Sequence, residues 1–336
     1  MNSHSKVFII AELSANHNND YDLACRTIKA MSESGADAVK VQTYRPESLT
    51  LDLDTGVFAP RTEGLWKGYT PWKLYQEASM PYEWQPKLKA FAEDLGLVFF
   101  SSPFDLHAVD FLESIACPIY KIASFEITDI PLIRHAASKG KPMIISTGVA
   151  TKEDIRAAID ACHAEGNYDI TLLKCTSEYP ATIGQANLLT ILDMKEQFGV
   201  EVGLSDHTMG HVVPAAAVAL GATVVEKHFI LDRSLGGPDS AFSMEPNEFA
   251  QMVGIVRQIE SARGIVSYDV PEKNILRRRS LFVAEDVSAG AELTIANICS
   301  IRPGHGLHPK HLPEVLGRQA VRNLKKGEPL DWEMVD

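Results

Sequence analysis

The sequence predicts a (β/α)8 TIM barrel followed by a small C-terminal β-rich domain. Eight short aliphatic or β-branched runs recur about every 25 to 45 residues, as expected for buried parallel strands. Amphipathic helical stretches separate most of these runs, and the pattern stops near residue 264. Eight alternations favour closure into a barrel, because the alternative, a doubly wound sheet, usually has fewer strands.

The predicted strands are, in chain order, VFIIAEL, AVKVQT, LVFFSSP, PIYKIAS, PMIIST, ITLLKCTS, EVGLSDH and TVVEKHF. The stretches YDLACRTIKAMSESG and DLHAVDFLESIA predict helices, and Gly35 ends the first of them. After the fifth strand, Thr151 is a candidate helix cap, and Glu153 and Asp154 favour a helix N-terminus there.

The segment from about Pro46 to Pro81 interrupts this alternation between the second and third strands. It is rich in turn residues and aromatic side chains, which predicts a loop packed over the barrel mouth. The aromatic residues could stack on a sugar ring, although packing among themselves is the favoured interpretation. They are Trp66, Tyr69, Trp72 and Tyr75.

Three segments follow from the change in pattern. Residues 1–265 form the predicted catalytic barrel, and residues 266–279, which include three consecutive arginines, form a linker. Residues 280–336 carry short strand-like runs and turns, and we expect a small β-rich domain there. That domain is too short to hold much catalytic machinery alone, and it could instead only stabilise or dimerise the protein.

Composition excludes several classes of protein. A net charge of −12 over 336 residues leaves no general basic surface for nucleic acid or for an anionic membrane. The apolar N-terminal stretch is interrupted by Glu12 and is too short for a signal peptide or a spanning helix, so we expect a cytoplasmic enzyme. The five cysteines contain no CxxC pair, which favours reduced thiols over a disulfide framework or a zinc cluster.

Polar residues close nearly every apolar run. Active sites of such barrels lie at the C-terminal ends of the strands, so these residues are the first functional candidates. In strand order they are Glu12, Asn16 and His17; Lys40, Gln42 and Thr43; Ser101 and Ser102; Lys121, Ser124 and Glu126; Ser146 and Thr147; Lys174, Thr176, Ser177 and Tyr179; Ser205, Asp206 and His207; and Glu226, Lys227 and His228.

Two histidines close neighbouring strands, the seventh and the eighth. An isolated histidine is more often structural than a ligand, but His207 and His228 could converge on one divalent ion and leave positions open for water and substrate. Asp206 and Glu226 could orient the imidazoles from behind.

Two lysines at strand ends predict an anion pocket inside an acidic protein. Lys40 and Lys121, together with nearby serine hydroxyls, suit a phosphate and a carboxylate. The strand-end residues allow three interpretations of the protein. It could be a metal-dependent synthase, an aldolase that forms a Schiff base on Lys40, Lys121 or Lys174, or a non-catalytic carbohydrate-binding protein.

The motifs AELSANHN, AVKVQTY, FFSSPFD, YKIASFEITD, IISTG, CTSEYP, GLSDHT and VEKHF resemble the sialic acid synthase family. The tail segments SLFVAEDVSAG, SIRPGHGLHPK and LGRQAVRNLKKGEPL resemble the family's C-terminal antifreeze-like (SAF) domain. The resemblance covers nearly the whole chain, and the motifs fall at successive strand ends in the family order.

The resemblance implies a condensation of phosphoenolpyruvate with an N-acetylated amino-sugar aldehyde. The segments AELSANHN, LYQEA, CTSEYP and SIRPGHGLHPK are most similar to members that use 2,4-diacetamido-2,4,6-trideoxy-L-altrose. N-Acetylmannosamine, a legionaminic-type sugar and a spore-coat sugar precursor are the alternative acceptors. The family also implies a domain-swapped homodimer.

Roles for individual residues follow from the same resemblance. It implies that six residues hold phosphoenolpyruvate: Lys40, Ser102, Lys121, Ser124, Ser146 and Ser205. His207 and His228 would bind Mn²⁺ or Mg²⁺, with Glu12 near the reacting carbon and Glu126 near the sugar end. His228 also counts as catalytic. The implied sugar contacts are Gln42, Ser177, Tyr179, Asp239 and, from the partner subunit's antifreeze-like domain, the position that matches Arg302.

One departure from the family pattern concerns the acceptor. Sialic acid synthases carry an asparagine two residues before the tyrosine-proline pair of the sixth-strand motif, where this chain has Ser177. The difference argues against N-acetylmannosamine as the acceptor.

Overall fold

The computed structural model describes residues 6–336 and contains the predicted barrel. Eight parallel strands close in sequence order. They are β1 (Phe8–Glu12), β2 (Ala38–Thr43), β3 (Val98–Pro103), β4 (Tyr120–Ile122), β5 (Met143–Ser146), β6 (Ile170–Cys175), β7 (Glu201–Asp206) and β8 (Val224–His228). β8 returns to pair with β1, and the last pair in register is Glu12 with His228. All eight C-terminal ends therefore meet at one face.

Helices follow most strands. In the first unit of the chain they are α1 (Tyr21–Glu33), α2 (Pro46–Leu49), α3 (Pro71–Ala78), α4 (Gln85–Asp94), α5 (Leu106–Ser114), α6 (Ile130–Ala137), α7 (Lys152–Ala164), α8 (Thr190–Phe198), α9 (Val212–Ala219) and α10 (Pro246–Arg263). The predicted cap is confirmed, because Thr151 Oγ1 accepts a hydrogen bond from Asp154 N and precedes α7. Gly35, just after α1, has a φ of +86°, which a side chain rarely adopts.

Alternation along the strands divides the side chains into two sets. One set packs outward against the helices, as Phe99 of β3 does, and Phe229 directly after β8 packs against Phe249 of α10. Burying each of these contributes about 1.5–3 kcal/mol. The other set points into the barrel, where apolar Ile10 and Phe100 lie below polar Glu12 and Ser102. The polar residues at the strand ends are thus held by a rigid apolar layer beneath them.

The excursion between β2 and β3 differs from the prediction. It is not only a loop, because α2 and α3 form within it, and proline at the first turn of each helix favours this start. Two aromatics, Trp66 and Tyr75, line the cavity at the barrel mouth. Tyr69 and Trp72 are half-buried and do not line that cavity. The excursion therefore divides its aromatic side chains between packing and the site.

The chain forms two compact units, Met1–Gly264 and Ile265–Asp336. The second contains α11 (Glu272–Ile275), an antiparallel pair of β9 (Ser280–Val283) and β10 (Ile298–Ile301), and α12 (Leu312–Val315). Isolated bridges extend the pairing, and a core of its own includes Leu281, Leu293 and Leu330. The prediction of a small β-rich domain is confirmed. Among residues 6–336, no helix is long and apolar enough to cross a membrane.

Candidate active site

Four charged side chains of alternating sign form the floor of the barrel mouth. Lys40 Nζ lies 2.5 Å from Glu12 Oε2 and 3.7 Å from Glu226 Oε1. Lys121 Nζ lies 3.9 Å from the same oxygen of Glu226. All four side chains are buried. Parallel pairing explains the first contact, because Glu12 and Lys40 are partners in register on β1 and β2.

Burial and mutual attraction shift the pKa values in this cluster. Burial raises the pKa of Glu12 above its ordinary value, and Lys40 offsets only part of that rise. Burial alone would lower the pKa of Lys40, but Glu12 and Glu226 together raise it. Burial also favours neutral Glu226, yet Lys121 and Lys40 hold its pKa below the usual range. Glu226 is thus a carboxylate held between two ammonium groups, a place that suits an anionic ligand.

Serine hydroxyls surround the cluster. Lys121 Nζ donates to Ser146 Oγ at 2.7 Å, Lys40 Nζ donates to Ser102 Oγ at 3.4 Å, and Ser205 Oγ donates to Glu226 Oε1 at 3.2 Å. Ser124 lies to one side, where its Oγ accepts a hydrogen bond from Gly148 N. Five of the six residues predicted to hold phosphoenolpyruvate therefore belong to one network of contacts around Glu226. The sixth, Ser124, lies beside this network and binds Gly148.

The two predicted metal-binding histidines face each other. The ring centroids of His207 and His228 are 5.2 Å apart. His207 Nδ1 lies 2.9 Å from the Thr176 carbonyl oxygen, to which it donates, so Nε2 is the nitrogen left for a ligand. His228 Nδ1 is buried and has no hydrogen-bond partner among the described residues. Two imidazoles with free nitrogens fit a divalent cation with open coordination positions.

In the part of the chain that the structure describes, neither of the predicted orienting partners forms a hydrogen bond to an imidazole. Asp206 is held by Lys227 and Thr208, and Glu226 is held by Lys40, Lys121 and Ser205. Strand alternation explains the first case, since Asp206 points away from the face on which its neighbour His207 lies. Within residues 6–336, no group of three or more His, Cys, Asp and Glu side chains is arranged to hold a metal. The barrel thus offers two imidazoles rather than a complete ligand set.

A cavity of about 380 Å³ opens above the floor. Its polar lining includes the predicted sugar contacts Gln42, Ser177, Tyr179 and Asp239, together with Glu126 and His228. Gln42 Nε2 donates to Glu12 Oε1 at 3.1 Å and to Ser14 Oγ at 2.9 Å, and Ser14 in turn donates to Asp239 at 2.5 Å. This chain of hydrogen bonds connects the floor to the cavity wall.

Apolar side chains also line the cavity. They are Leu49, Leu74, Ala78, Phe104, Phe125 and Phe242, and aromatic Tyr44 and Tyr75 adjoin them. The ring of Tyr44 contacts the rings of Tyr75 and Phe104. Trp66 reaches across the mouth and donates from Nε1 to the Pro238 carbonyl oxygen at 2.9 Å. Of the residues named in this paragraph as lining the cavity, only Trp66 and Tyr75 were predicted from the sequence to lie at the barrel mouth.

Glu126 lies at the rim of this cavity, and burial raises its pKa from 4.5 to about 7, with Lys121 opposing part of the rise. Between these pH values the folded protein holds a proton that the unfolded chain has released, so this carboxyl costs stability as the pH rises. We expect Glu126→Gln to raise the free energy of unfolding by about 1 kcal/mol near pH 8, after allowance for solvent at the rim, and not near pH 4. Chemical denaturation at several pH values checks this, and a difference independent of pH would contradict it.

Arg302 lies outside the barrel. It follows β10 in the second unit, and its side chain is exposed.

The family comparisons agree with this fold. The NeuB family matches residues 27–268, and the SAF domain matches residues 278–336. The chain belongs to the NeuB family. The predicted resemblance to sialic acid synthases with an antifreeze-like domain is therefore confirmed.

Curated relatives cover almost the full chain. Pseudaminic acid synthase of Helicobacter pylori is 47% identical over 98% of this chain and 97% of its own length. Pseudaminic acid synthase of Campylobacter jejuni is 46% identical over 98% and 96%. N,N'-Diacetyllegionaminic acid synthase of Legionella pneumophila is 36% identical over 98% and 94%. Identity is thus higher to the first two relatives than to the third.

Solved structures show the same architecture. N-Acetylneuraminic acid synthetase from Leptospira borgpetersenii superposes with a TM-score of 0.73 at 31% identity, over 81% of this chain and 90% of that one. A spore coat polysaccharide biosynthesis protein from Bacillus subtilis gives a TM-score of 0.67 at 32% identity, over 98% and 95%.

Proposed function

We propose that this protein condenses phosphoenolpyruvate with 2,4-diacetamido-2,4,6-trideoxy-L-altrose to give pseudaminic acid and phosphate. One observation carries the proposal: a buried two-lysine anion site lies beneath a cavity that is lined by both polar and apolar side chains. The level of identity to the named pseudaminic acid synthases supports the same acceptor.

The lysines and serines of the floor hold phosphoenolpyruvate. Lys40 and Lys121 attract its phosphate and carboxylate, and the hydroxyls of Ser102, Ser146, Ser205 and Ser124 supply hydrogen bonds. Glu226 keeps both ammonium groups in place before the substrate arrives. Because phosphoenolpyruvate carries more negative charge than one carboxylate, it competes with Glu226 for the same lysines.

The mixed lining of the cavity suits the proposed acceptor. Its apolar side chains would accept the C6 methyl group of a 6-deoxy sugar and the methyl groups of two acetamido substituents. Gln42, Tyr179 and Asp239 would bind the hydroxyl and amide groups. A sugar with hydroxyl groups along the wall of Leu74 and Phe104 would leave them without hydrogen bonds there.

His207 and His228 would hold a divalent cation, Mn²⁺ or Mg²⁺, at the edge of the cavity that His228 lines. Such a cation would polarise the open-chain aldehyde of the sugar as a Lewis acid.

The reaction uses the residues of the floor and rim. Carbon 3 of phosphoenolpyruvate attacks the aldehyde carbon and forms the new carbon–carbon bond, while the aldehyde oxygen takes a proton and becomes a hydroxyl. Positive charge develops at carbon 2, where the Glu12 carboxylate stabilises it. Water adds to carbon 2, and breakage of the bond between carbon 2 and the bridging oxygen releases phosphate. Glu126 either transfers a proton at the sugar end or positions the sugar, and a kcat loss or a KM rise in Glu126→Gln distinguishes these roles.

The acceptor assignment is tested by supplying the purified protein with Mn²⁺, phosphoenolpyruvate and one sugar at a time. We expect phosphate release with the diacetamido-trideoxy altrose and not with N-acetylmannosamine. Turnover with N-acetylmannosamine alone would make the protein a sialic acid synthase. Turnover only with a different diacetamido-trideoxy sugar would make it a legionaminic-type enzyme.

We further propose that the protein is a domain-swapped homodimer in which Arg302 of one subunit contacts the sugar bound to its partner. We expect Arg302→Ala to raise KM for the sugar by at least about 10-fold, with a smaller change for phosphoenolpyruvate. Arg318→Ala, in the same unit, is the control, since Arg318 donates to the carbonyl oxygen of Asp336. Equal loss for both substrates would contradict the role of Arg302.

A further inference from the structure

A buried ion pair on the outer face of the barrel joins the two strands that carry the histidines. Lys227 Nζ lies 2.5 Å from Asp206 Oδ2, and both side chains are almost fully buried. Asp206 and Lys227 are also the last residue pair of β7 and β8 in register. Each is the chain neighbour of a histidine, His207 in one case and His228 in the other.

Further hydrogen bonds extend the pair into the turn after β7. Asp206 Oδ1 and Oδ2 accept from the backbone N and the hydroxyl of Thr208, each at 3.0 Å. Lys227 Nζ also donates to the Thr208 carbonyl oxygen. His207 lies between Asp206 and Thr208, so the residues on both sides of it are fixed to β8. The carbonyl oxygen of His207 accepts a further bond from Ala181 N.

Stability alone is a weak explanation for such a pair. Removing two ionic groups from water carries a desolvation cost that their attraction often fails to exceed, and apolar replacements of similar volume are often as stable. Val225, on the same strand, and Phe229, directly after it, are apolar and face the helices in this outer layer. We therefore expect this lysine and aspartate to fix the geometry of the two strand ends rather than to add to the free energy of unfolding.

We propose that Asp206 and Lys227 are positioning residues: their buried ion pair fixes the separation of the His207 and His228 imidazoles and thereby sets the affinity for the divalent cation. The inference rests on the proposed metal site. Groups behind metal ligands that orient them commonly change metal affinity by about 10- to 100-fold when they are removed. The pair acts through the backbone on either side of the histidines, and it touches neither substrate nor metal.

The test is a titration of the full-length protein with Mn²⁺, followed by the electron paramagnetic resonance signal of the free ion. The variant is Asp206→Asn combined with Lys227→Met, which removes both charges together, because a single substitution would leave one buried charge unpaired. We expect it to remain folded and to bind Mn²⁺ about 10- to 100-fold more weakly. Its affinity for phosphoenolpyruvate in the presence of a chelator should equal that of the unaltered protein.

The control is a second ion pair of the same barrel, between Arg257 and Asp37, whose Nη2 and Oδ2 atoms are 2.6 Å apart. Asp37 precedes β2, so this pair lies at the opposite end of the barrel from the histidines. Asp37→Asn with Arg257→Met should leave Mn²⁺ affinity unchanged. A folded Asp206–Lys227 double variant with unchanged Mn²⁺ affinity overturns the positioning role. Failure of the metal site itself is distinct: Mn²⁺ binding would then not weaken in His228→Ala either.

Discussion

Replacing Lys121 by methionine is expected to lower kcat/KM for phosphoenolpyruvate by about 10²- to 10³-fold. Lys121 is one of two cations in the buried floor, and its Nζ contacts both Ser146 Oγ and, more distantly, Glu226. Its loss leaves the carboxylate of Glu226 opposed by Lys40 alone. An arriving dianion then meets half of the positive charge and the same negative charge. Steady-state kinetics with saturating sugar would measure the effect.

Lys174→Met is the matched control. Lys174 lies near the C-terminal end of β6, so it is also a lysine at a strand end. Its Nζ, however, donates to the Cys175 carbonyl oxygen and to Thr176 Oγ1. Strand alternation places it on the opposite face from Cys175. We expect little change in kcat/KM for this variant. A large loss with Lys174→Met, a normal Lys121→Met enzyme, and trapping of substrate by borohydride would together favour a Schiff-base aldolase.

Replacing His228 by alanine is expected to reduce metal-dependent turnover by at least about 10³-fold while the protein stays folded. The imidazole lies at a strand end and lines the cavity, so its removal takes a ligand away without opening the apolar core. Loss of polarisation at the aldehyde raises the barrier to carbon–carbon bond formation. Phosphate release in a series of Mn²⁺ concentrations, with circular dichroism for folding, provides the measurement.

His135→Ala serves as the control for this variant. His135 lies on α6, and its Nε2 pairs with Asp110 at 2.8 Å on the surface. Turnover and metal dependence should both be unchanged there. A folded His228→Ala enzyme with full activity, insensitive to chelator, would be incompatible with the metal assignment.

Much of the site could be predicted from the sequence because the barrel imposes a simple rule. Polar residues that close successive parallel strands must meet at one face, so Lys40, Lys121 and His228 could be grouped without coordinates. Period-two alternation carries further information, since Glu226 and His228 share a face that Lys227 does not. Cap chemistry at Thr151 was equally local and equally predictable.

Partners across the barrel could not be predicted in the same way. The sequence offered Glu226 as a support for a histidine, but the side chain turns toward Lys40 and Lys121, because two cations attract a buried carboxylate more strongly than a neutral ring does. Asp206 forms no hydrogen bond to His207 for a different reason: it points to the other face of the strand, where its partner in register, Lys227, binds it. The apolar part of the cavity lining could not be predicted either. Leu74 and Phe104 resemble core residues in the sequence, and only the folded structure shows that they line the cavity.

In the proposed condensation, phosphoenolpyruvate loses phosphate by cleavage of the bond between its carbon 2 and the bridging oxygen. The most direct measurement uses phosphoenolpyruvate with ¹⁸O in the bridging position, Mn²⁺ and 2,4-diacetamido-2,4,6-trideoxy-L-altrose, with mass spectrometry of both products. We expect phosphate that carries the ¹⁸O label and a nine-carbon keto acid without it, both formed only when the sugar is present. Label retained in the keto acid, or phosphate released without the sugar, would contradict it.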